Sequence, residues 1–194
     1  MPKTLKALTK GQIPRTVDSL DDLRANIYKW KTLRKIGKKG SPAVFTVCVV
    51  GELIEAWQDA EHDETMDEEA FGGWLYILEC YPELFPHISK ALTEVGLYEL
   101  EREFQGIPAL LPEIKNLEDI CFDEVLDFLK DPELDPYDDR LQPYNSEQRV
   151  QISKSFAQIL NRLDALSQPI WSEEGPREGW DSLLRYIESV YHTE

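Results

Sequence analysis

Long apolar segments and paired cysteines are both missing from this chain of 194 residues. The longest apolar run, residues 43–50, is interrupted by Thr46 and is far shorter than the roughly 20 residues that cross a bilayer. The basic N-terminus carries no apolar segment of the kind found in a secretory signal. The three cysteines, Cys48, Cys80 and Cys121, form no Cys-x-x-Cys pair. We therefore expect a cytoplasmic protein without a membrane partner, in which all three thiols are free and buried.

Basic residues are scarce and unevenly distributed. The chain has 21 bases against 37 acids, a net charge of −16. Residues 1–39 contain 11 bases and three acids, whereas residues 40–194 contain 10 bases and 34 acids. Because binding to nucleic-acid phosphates needs Lys and Arg, the overall balance argues against direct nucleic-acid binding. The basic segment can pair with its own acidic domain or reach another molecule, and we expect the first.

The spacing of apolar residues is helical along most of the chain, and no segment shows an equally good strand pattern. We predict an all-α fold, with a basic N-terminal arm over residues 1–18 and a single compact domain of about eight helices over residues 19–194. Residues 131–145, rich in proline and aspartate, are the longest predicted loop. Ser146 is expected to cap a long helix after that loop, and residues 169–179 are expected to form a second loop.

Two helices near the N-terminus have predictable boundaries. Ser19 is expected to cap the first, which continues without a break to the residues before Gly37. Ser41, which precedes a proline, is expected to cap the second. This helix should run to about Ala60, although Gly51 inside it lowers the helix propensity by about 1 kcal/mol relative to alanine.

Acidic residues are concentrated in two segments. Residues 52–69 hold nine carboxylates and no Lys or Arg, and residues 113–139 hold eleven carboxylates and two lysines. Like charges three or four residues apart destabilise a helix slightly, so the fold gains nothing from them. We predict that a carboxylate-rich face binds a basic partner protein. The residues expected in this face are Glu52, Glu55, Asp59, Glu61, Asp63, Glu64, Asp67 and Glu68.

The same residues allow a metal-dependent alternative. Glu52, Glu55 and Asp59 lie on one stripe of the second helix, as ligands of a hydrolase could. With Glu64 and Asp67, their pattern is similar to the Glu-x-x-Glu and Glu-x-x-Asp metal sites of all-α nucleotide pyrophosphatases. No second helix offers a matching ligand set, and the chain has neither a phosphate-binding glycine loop nor a nucleophile signature. We therefore expect no catalysis, no metal and no cofactor.

Several short segments carry a family resemblance. Residues 68–76 read Glu-Glu-Ala-Phe-Gly-Gly-Trp-Leu-Tyr, residues 91–96 read Ala-Leu-Thr-Glu-Val-Gly, and Leu163-Asp164 and Leu184-Arg185-Tyr186-Ile187 follow. From about residue 45 onward, the chain resembles the small bacterial DNA-mimic proteins and their uncharacterised relatives, with Phe71 in place of the family's Asn. The resemblance implies a non-enzymatic all-α protein that presents carboxylates to a DNA-binding protein in place of phosphates.

Two further interpretations stay open at this point. An immunity protein that masks a basic toxin has the same small, acidic, single-domain character. The sequence is also compatible with a helical protein whose function cannot be read from its residues. Sequence patterns alone do not separate these interpretations from DNA mimicry.

Overall fold

Helices supply the regular secondary structure of this protein. The computed structural model describes residues 2–62, 73–112, 121–175 and 177–193, with the backbone alone at positions 61 and 62. Within these ranges there is no strand, and an isolated bridge pairs Lys3 with Gly40. The helices are α1 (Leu5–Leu8), α2 (Val17–Tyr28), α3 (Leu33–Lys39), α4 (Pro42–His62), α5 (Gly73–Cys80), α6 (Phe85–Glu94), α7 (Tyr98–Phe104), α8 (Gly106–Ala109), α9 (Phe122–Lys130), α10 (Ser146–Trp171) and α11 (Asp181–Val190). The predicted all-α class is confirmed. Because α1 and α8 are single turns, the number of longer helices among the described residues is close to the predicted eight.

Helix α4 is the centre of the domain. It contacts α2, α3, α5, α6, α10 and α11. Its side chains are buried on several faces, as the consecutive buried residues Val47, Cys48 and Val49 show. A single apolar cluster extends from Leu5 in α1 to Tyr191 after α11, so the N-terminal segment belongs to the same core. None of the described helices has the length and apolar content that a bilayer crossing requires.

The glycine inside α4 makes room for a buried arginine. A Cβ atom at Gly51 would lie 3.0 Å from Nε of Arg24. The Arg24 side chain enters this space from α2, and its guanidinium carbon lies 4.6 Å from the centroid of the Trp180 ring. The same guanidinium group donates to the carboxylate of Glu55 and to the hydroxyl of Tyr28. The propensity lost at Gly51 is therefore offset by the packing of α2 and the N-terminal end of α11 on α4.

A second glycine lies where α4, α5 and α10 pack together. A Cβ atom at Gly73 would lie 2.4 Å from Cδ1 of Trp57, so this position has no space for a side chain. The rings of Trp74 and Trp171 stack with centroids 5.7 Å apart. Oδ1 of Asp164 accepts hydrogen bonds from Nε1 of Trp57 and from the backbone N–H of Trp74, both at 3.1 Å. These contacts fix the start of α5 against the middle of the long helix α10.

The predicted N-terminal helix is divided into two in the structure. Helix α2 ends at Tyr28 and α3 begins at Leu33, because Lys31 between them has the left-handed backbone conformation (φ +69°). Thr16 is the N-cap of α2, and Ser19 completes its capping box from the third helical position. The prediction that Ser19 itself caps the helix was wrong by one turn. The predicted cap at Ser41 is confirmed, since its Oγ accepts the N–H of Val44 at 3.3 Å.

Helix α10 also differs at both ends from its prediction. Asn145, one residue before the predicted cap Ser146, caps the helix together with Gln148. The helix then continues through Pro169 to Trp171, where a loop was predicted. Full burial of Trp171 against the other tryptophans stabilises this last turn and offsets the backbone hydrogen bond that proline removes.

The prediction that all three thiols are buried was wrong. Cys48 is buried in α4, but Cys80 and Cys121 are exposed. Cys80 is the last residue of α5, and Cys121 is the N-cap of α9. Both therefore lie at helix ends, where apolar neighbours in the sequence do not guarantee burial.

Candidate functional site

Part of the predicted acidic face lies outside the described residues. Glu61 is described only in its backbone, as part of α4. The positions not described at all are Asp63, Glu64, Asp67 and Glu68.

The three remaining members share α4 but differ in their surroundings. Glu55 is half exposed and forms an ion pair with Arg24. Glu52 accepts a hydrogen bond from the Tyr28 hydroxyl, and burial raises the pKa of its carboxyl group despite that hydrogen bond. Asp59 is exposed to solvent. Two of the three carboxylates are therefore engaged in the contact between α2 and α4.

The described part of the chain offers no set of metal ligands for the metal-dependent alternative. Among those residues, no three His, Cys, Asp or Glu side chains come together in a way that could hold a metal ion. A cavity of about 510 Å³ lies beside Glu52 and is lined in part by Tyr28 and Cys48. Burial raises the pKa of the Cys48 thiol to about 12, so this thiol is neutral near pH 7 and a poor nucleophile. Cys48 is thus part of the buried core, whereas Glu52 is partly exposed at the cavity.

The second acid-rich segment forms an open surface. Residues 121–139 comprise α9 and the first part of the following loop, and they contain eight acidic residues. Six of these are exposed and form no salt bridge with any described residue. We call these six carboxylates the acidic surface: Asp123, Asp127, Asp131, Glu133, Asp135 and Asp139.

Hydrogen bonds hold the loop that carries much of the acidic surface against α10. The guanidinium group of Arg149 donates to the backbone carbonyls of Asp131 and Leu134. The Ser153 hydroxyl donates to the carbonyl of Lys130 at 2.9 Å. Leu141 is fully buried and anchors the loop at its other side. The backbone beneath the carboxylates is therefore held by contacts within the domain.

A tyrosine stands in the middle of this loop. The Tyr137 side chain is 92% exposed, and its neighbour Pro136 is buried. On the other side, Arg140 donates to both carboxylate oxygens of Asp138, at 2.8 and 2.6 Å, and these hydrogen bonds lower the pKa of Asp138 to about 2. The backbone N–H of Asp138 is bound by the Glu124 carboxylate. Tyr137 is thus presented to solvent from a backbone that is fixed on both sides.

The acidic surface is negatively charged and its segment carries one large exposed aromatic side chain. It combines unpaired carboxylates with an aromatic ring, and tyrosine is enriched among the residues that dominate protein interfaces. Its sequence signal was the high acid content of residues 113–139. The sequence did not indicate which carboxylates lack a salt bridge, and it did not indicate that Tyr137 is exposed.

Comparison with known proteins adds no further assignment. No protein-family model, no curated protein and no solved structure matches the chain. The described residues that carry the resemblance to DNA-mimic proteins are largely packing residues. Gly73 contacts Trp57, Asp164 binds the start of α5, and Leu92 and Leu184 are buried. These described side chains therefore contribute mainly to packing.

Proposed function

We propose that this protein is a non-enzymatic binding protein that takes a basic partner protein onto its acidic surface. The observation that carries the proposal is the set of six exposed carboxylates in residues 121–139, a segment that also exposes Tyr137. None of the six has a salt bridge within the described part of the chain. The nine acids of segment 52–69 add to the net negative charge of the chain.

Two physical roles follow for this surface. Exposed carboxylates attract a basic surface over a distance of about 10 Å at 0.1 M salt, so they chiefly raise the association rate. The Tyr137 ring adds contact area with few rotatable bonds, so it chiefly slows dissociation. A loop already fixed by Arg149 and Ser153 loses little conformational entropy when the partner binds.

We further propose that the partner is a DNA-binding protein, whose basic surface meets carboxylates in place of phosphates. This choice rests on the resemblance of residues 68–76 and 91–96 to DNA-mimic proteins. A toxin with a basic surface would make the same contacts, and the experiment below separates the two.

The test compares three forms of the tagged protein in pull-downs from the native host. In the first variant, the six carboxylates of the acidic surface are changed to Asn or Gln. The control variant neutralises six exposed carboxylates elsewhere and has the same net charge. The control positions are Asp18, Asp22, Glu83, Glu99, Glu174 and Glu188.

The wild type and the control should capture the same partner, and the neutralised variant should lose it. Salt at 0.5 M should release the partner, and Tyr137→Ala should speed its dissociation. Displacement by duplex DNA would identify mimicry, whereas a captured nuclease or other toxin would identify immunity. Retention of the same partner by the neutralised variant at 0.5 M salt would contradict the proposal.

A further inference from the structure

We propose that a second surface, formed by α3 and the residues next to it, binds the phosphate backbone of a nucleic acid. This inference rests on different side chains from the acidic surface and is independent of the proposed function. We call it the basic surface, and its residues are Lys3, Lys31, Arg34, Lys35, Lys38 and Lys39.

The backbone brings the N-terminal lysine next to α3. The N–H of Lys3 donates to the carbonyl of Lys39 at 2.6 Å, and the N–H of Ser41 donates to the carbonyl of Lys3 at 2.9 Å. The ammonium group of Lys3 lies 6.0 Å from the centroid of the Trp30 ring, beside Lys31 in the chain. Residues far apart in the sequence therefore add to one patch of positive charge.

The charges of the basic surface are not neutralised by any residue that the structure describes. All six side chains are exposed, and none forms a salt bridge with a described residue. Residues 23–51 contain no acid at all, in a chain with 37 acids. The sequence led us to expect that the basic segment pairs with its own acidic domain. Its backbone does pack on the domain, but of its 11 bases only Arg24 is buried and ion-paired with residues in the described ranges.

Solubility does not account for this arrangement, and helix stability accounts for only part of it, through the favourable position of Lys38 and Lys39 in the last turn of α3. Within α3, Arg34 lies one helical turn from Lys38, and Lys35 lies one turn from Lys39. Such like-charge pairs destabilise a helix. Solubility rises with the magnitude of the net charge, and these bases reduce the magnitude of a charge that is already −16. A ligand with dense negative charge would explain why they are kept together.

The composition of the basic surface favours phosphates over other anionic partners. Five of its six residues are lysines, which protein–protein interfaces avoid, whereas phosphate backbones are bound by Lys and Arg alike. An interfacial membrane helix needs exposed apolar side chains. The large exposed apolar residues among those described are Tyr98, Tyr137 and Val150, all outside residues 2–62. Repulsion from the distant acids is screened beyond about 10 Å at 0.1 M salt, so a local contact is feasible.

Fluorescence anisotropy with a labelled 20-base-pair DNA duplex and a labelled single-stranded RNA tests the proposal. We expect binding in the range of non-specific complexes, about 10⁻⁴ to 10⁻⁶ M at physiological salt. The logarithm of the binding constant should fall linearly with the logarithm of the salt concentration, with a slope near −0.9 per phosphate contacted on the duplex.

Two charge-reversal variants separate the basic surface from the net charge. One carries Arg34→Glu, Lys35→Glu and Lys38→Glu. The control reverses three exposed bases outside the basic surface and has the same net charge, and its positions are Arg102, Lys154 and Arg185. In the plot of the logarithm of the binding constant against the logarithm of the salt concentration, the slope of the first variant should be less negative than that of wild type by about 3, roughly one per lost contact. The control variant should have the same slope as wild type.

Circular dichroism establishes that both variants are folded before they are compared. Binding lost equally in both variants would overturn the proposal, because net charge alone would then explain it. No anisotropy change with wild type at 50 mM salt would also overturn it, as would binding to anionic lipid vesicles without binding to either nucleic acid. The variant with a neutralised acidic surface should still bind, which keeps the two proposals separable.

Discussion

Replacing Gly179 with alanine is expected to destabilise the domain more than the same change at Gly96. Both glycines have a left-handed backbone with φ of +81°. A Cβ atom at Gly96 would meet nothing within 4 Å. At Gly179, it would lie 2.3 Å from the carbonyl oxygen of Trp171 and 2.8 Å from Nε2 of Gln58. The pair therefore separates the cost of the backbone conformation from the cost of the contact.

The expected magnitudes follow from these distances. A left-handed alanine costs about 1 kcal/mol, which is the whole effect expected at Gly96. At Gly179, the contact with a backbone atom adds an overpacking cost of about 1–3 kcal/mol. The Gln58 side chain donates to the carbonyls of Trp171 and Glu178, both at 2.8 Å, and disturbing these buried hydrogen bonds costs at least about 1 kcal/mol more. The total expected for Gly179→Ala is about 3 kcal/mol or more.

Urea and thermal unfolding measure both changes. For a chain of this size, 1 kcal/mol corresponds to about 2–4 °C in Tm. Gly96→Ala should lower Tm by about 2–4 °C, and Gly179→Ala by about 6–12 °C, with an unchanged urea m value. If Gly179→Ala lowers Tm no more than Gly96→Ala does, the contact with Trp171 does not constrain this position and the reasoning fails.

Two substitutions and one reactivity measurement test the interior. Burial raises the pKa of Asp164 in the folded protein. The free energy of unfolding of wild type should therefore fall as the pH rises from the pKa of Asp164 in the unfolded chain to its pKa in the folded protein. Asp164→Asn, whose side-chain oxygen can accept both hydrogen bonds, should remove that fall and be more stable at pH 7. Arg24→Ala should cost about 2–4 kcal/mol in urea unfolding, below the full penalty for a broken buried pair because its partner is half exposed. In the native state, Cys80 and Cys121 should react quickly with a thiol reagent and Cys48 slowly.

Each of these has a clear contrary result. Parallel stability profiles of wild type and Asp164→Asn from pH 3 to 7 would show that burial does not perturb this carboxyl group. A loss below about 1 kcal/mol for Arg24→Ala would mean that its contacts are replaced by water without penalty. Three equally fast thiols would place Cys48 at the surface, with Cys48→Ala as the control that assigns the slow phase.

Local patterns were sufficient to predict much of this fold. The apolar spacing in α4, α6 and α10 predicted helices, because a period of 3.6 residues is a property of the segment itself. The serine before Pro42 marked the start of α4, since capping involves residues only three apart. Segregation of charge between residues 1–39 and the rest of the chain was likewise visible at once.

The tertiary structure decided which side chains remain available at the surface. Glu55 belongs to a predicted face, but a cation 31 positions earlier in the chain occupies it. Asp164 binds Trp57 across 107 positions, and no spacing rule connects them. Burial of Trp171 carries α10 past Pro169 against local propensity. The sequence by itself determined most of the helices and the segregation of charge, because both follow from near neighbours. Only the packing of distant helices determined which charges are paired and which face solvent, because a salt bridge depends on where two separate segments meet.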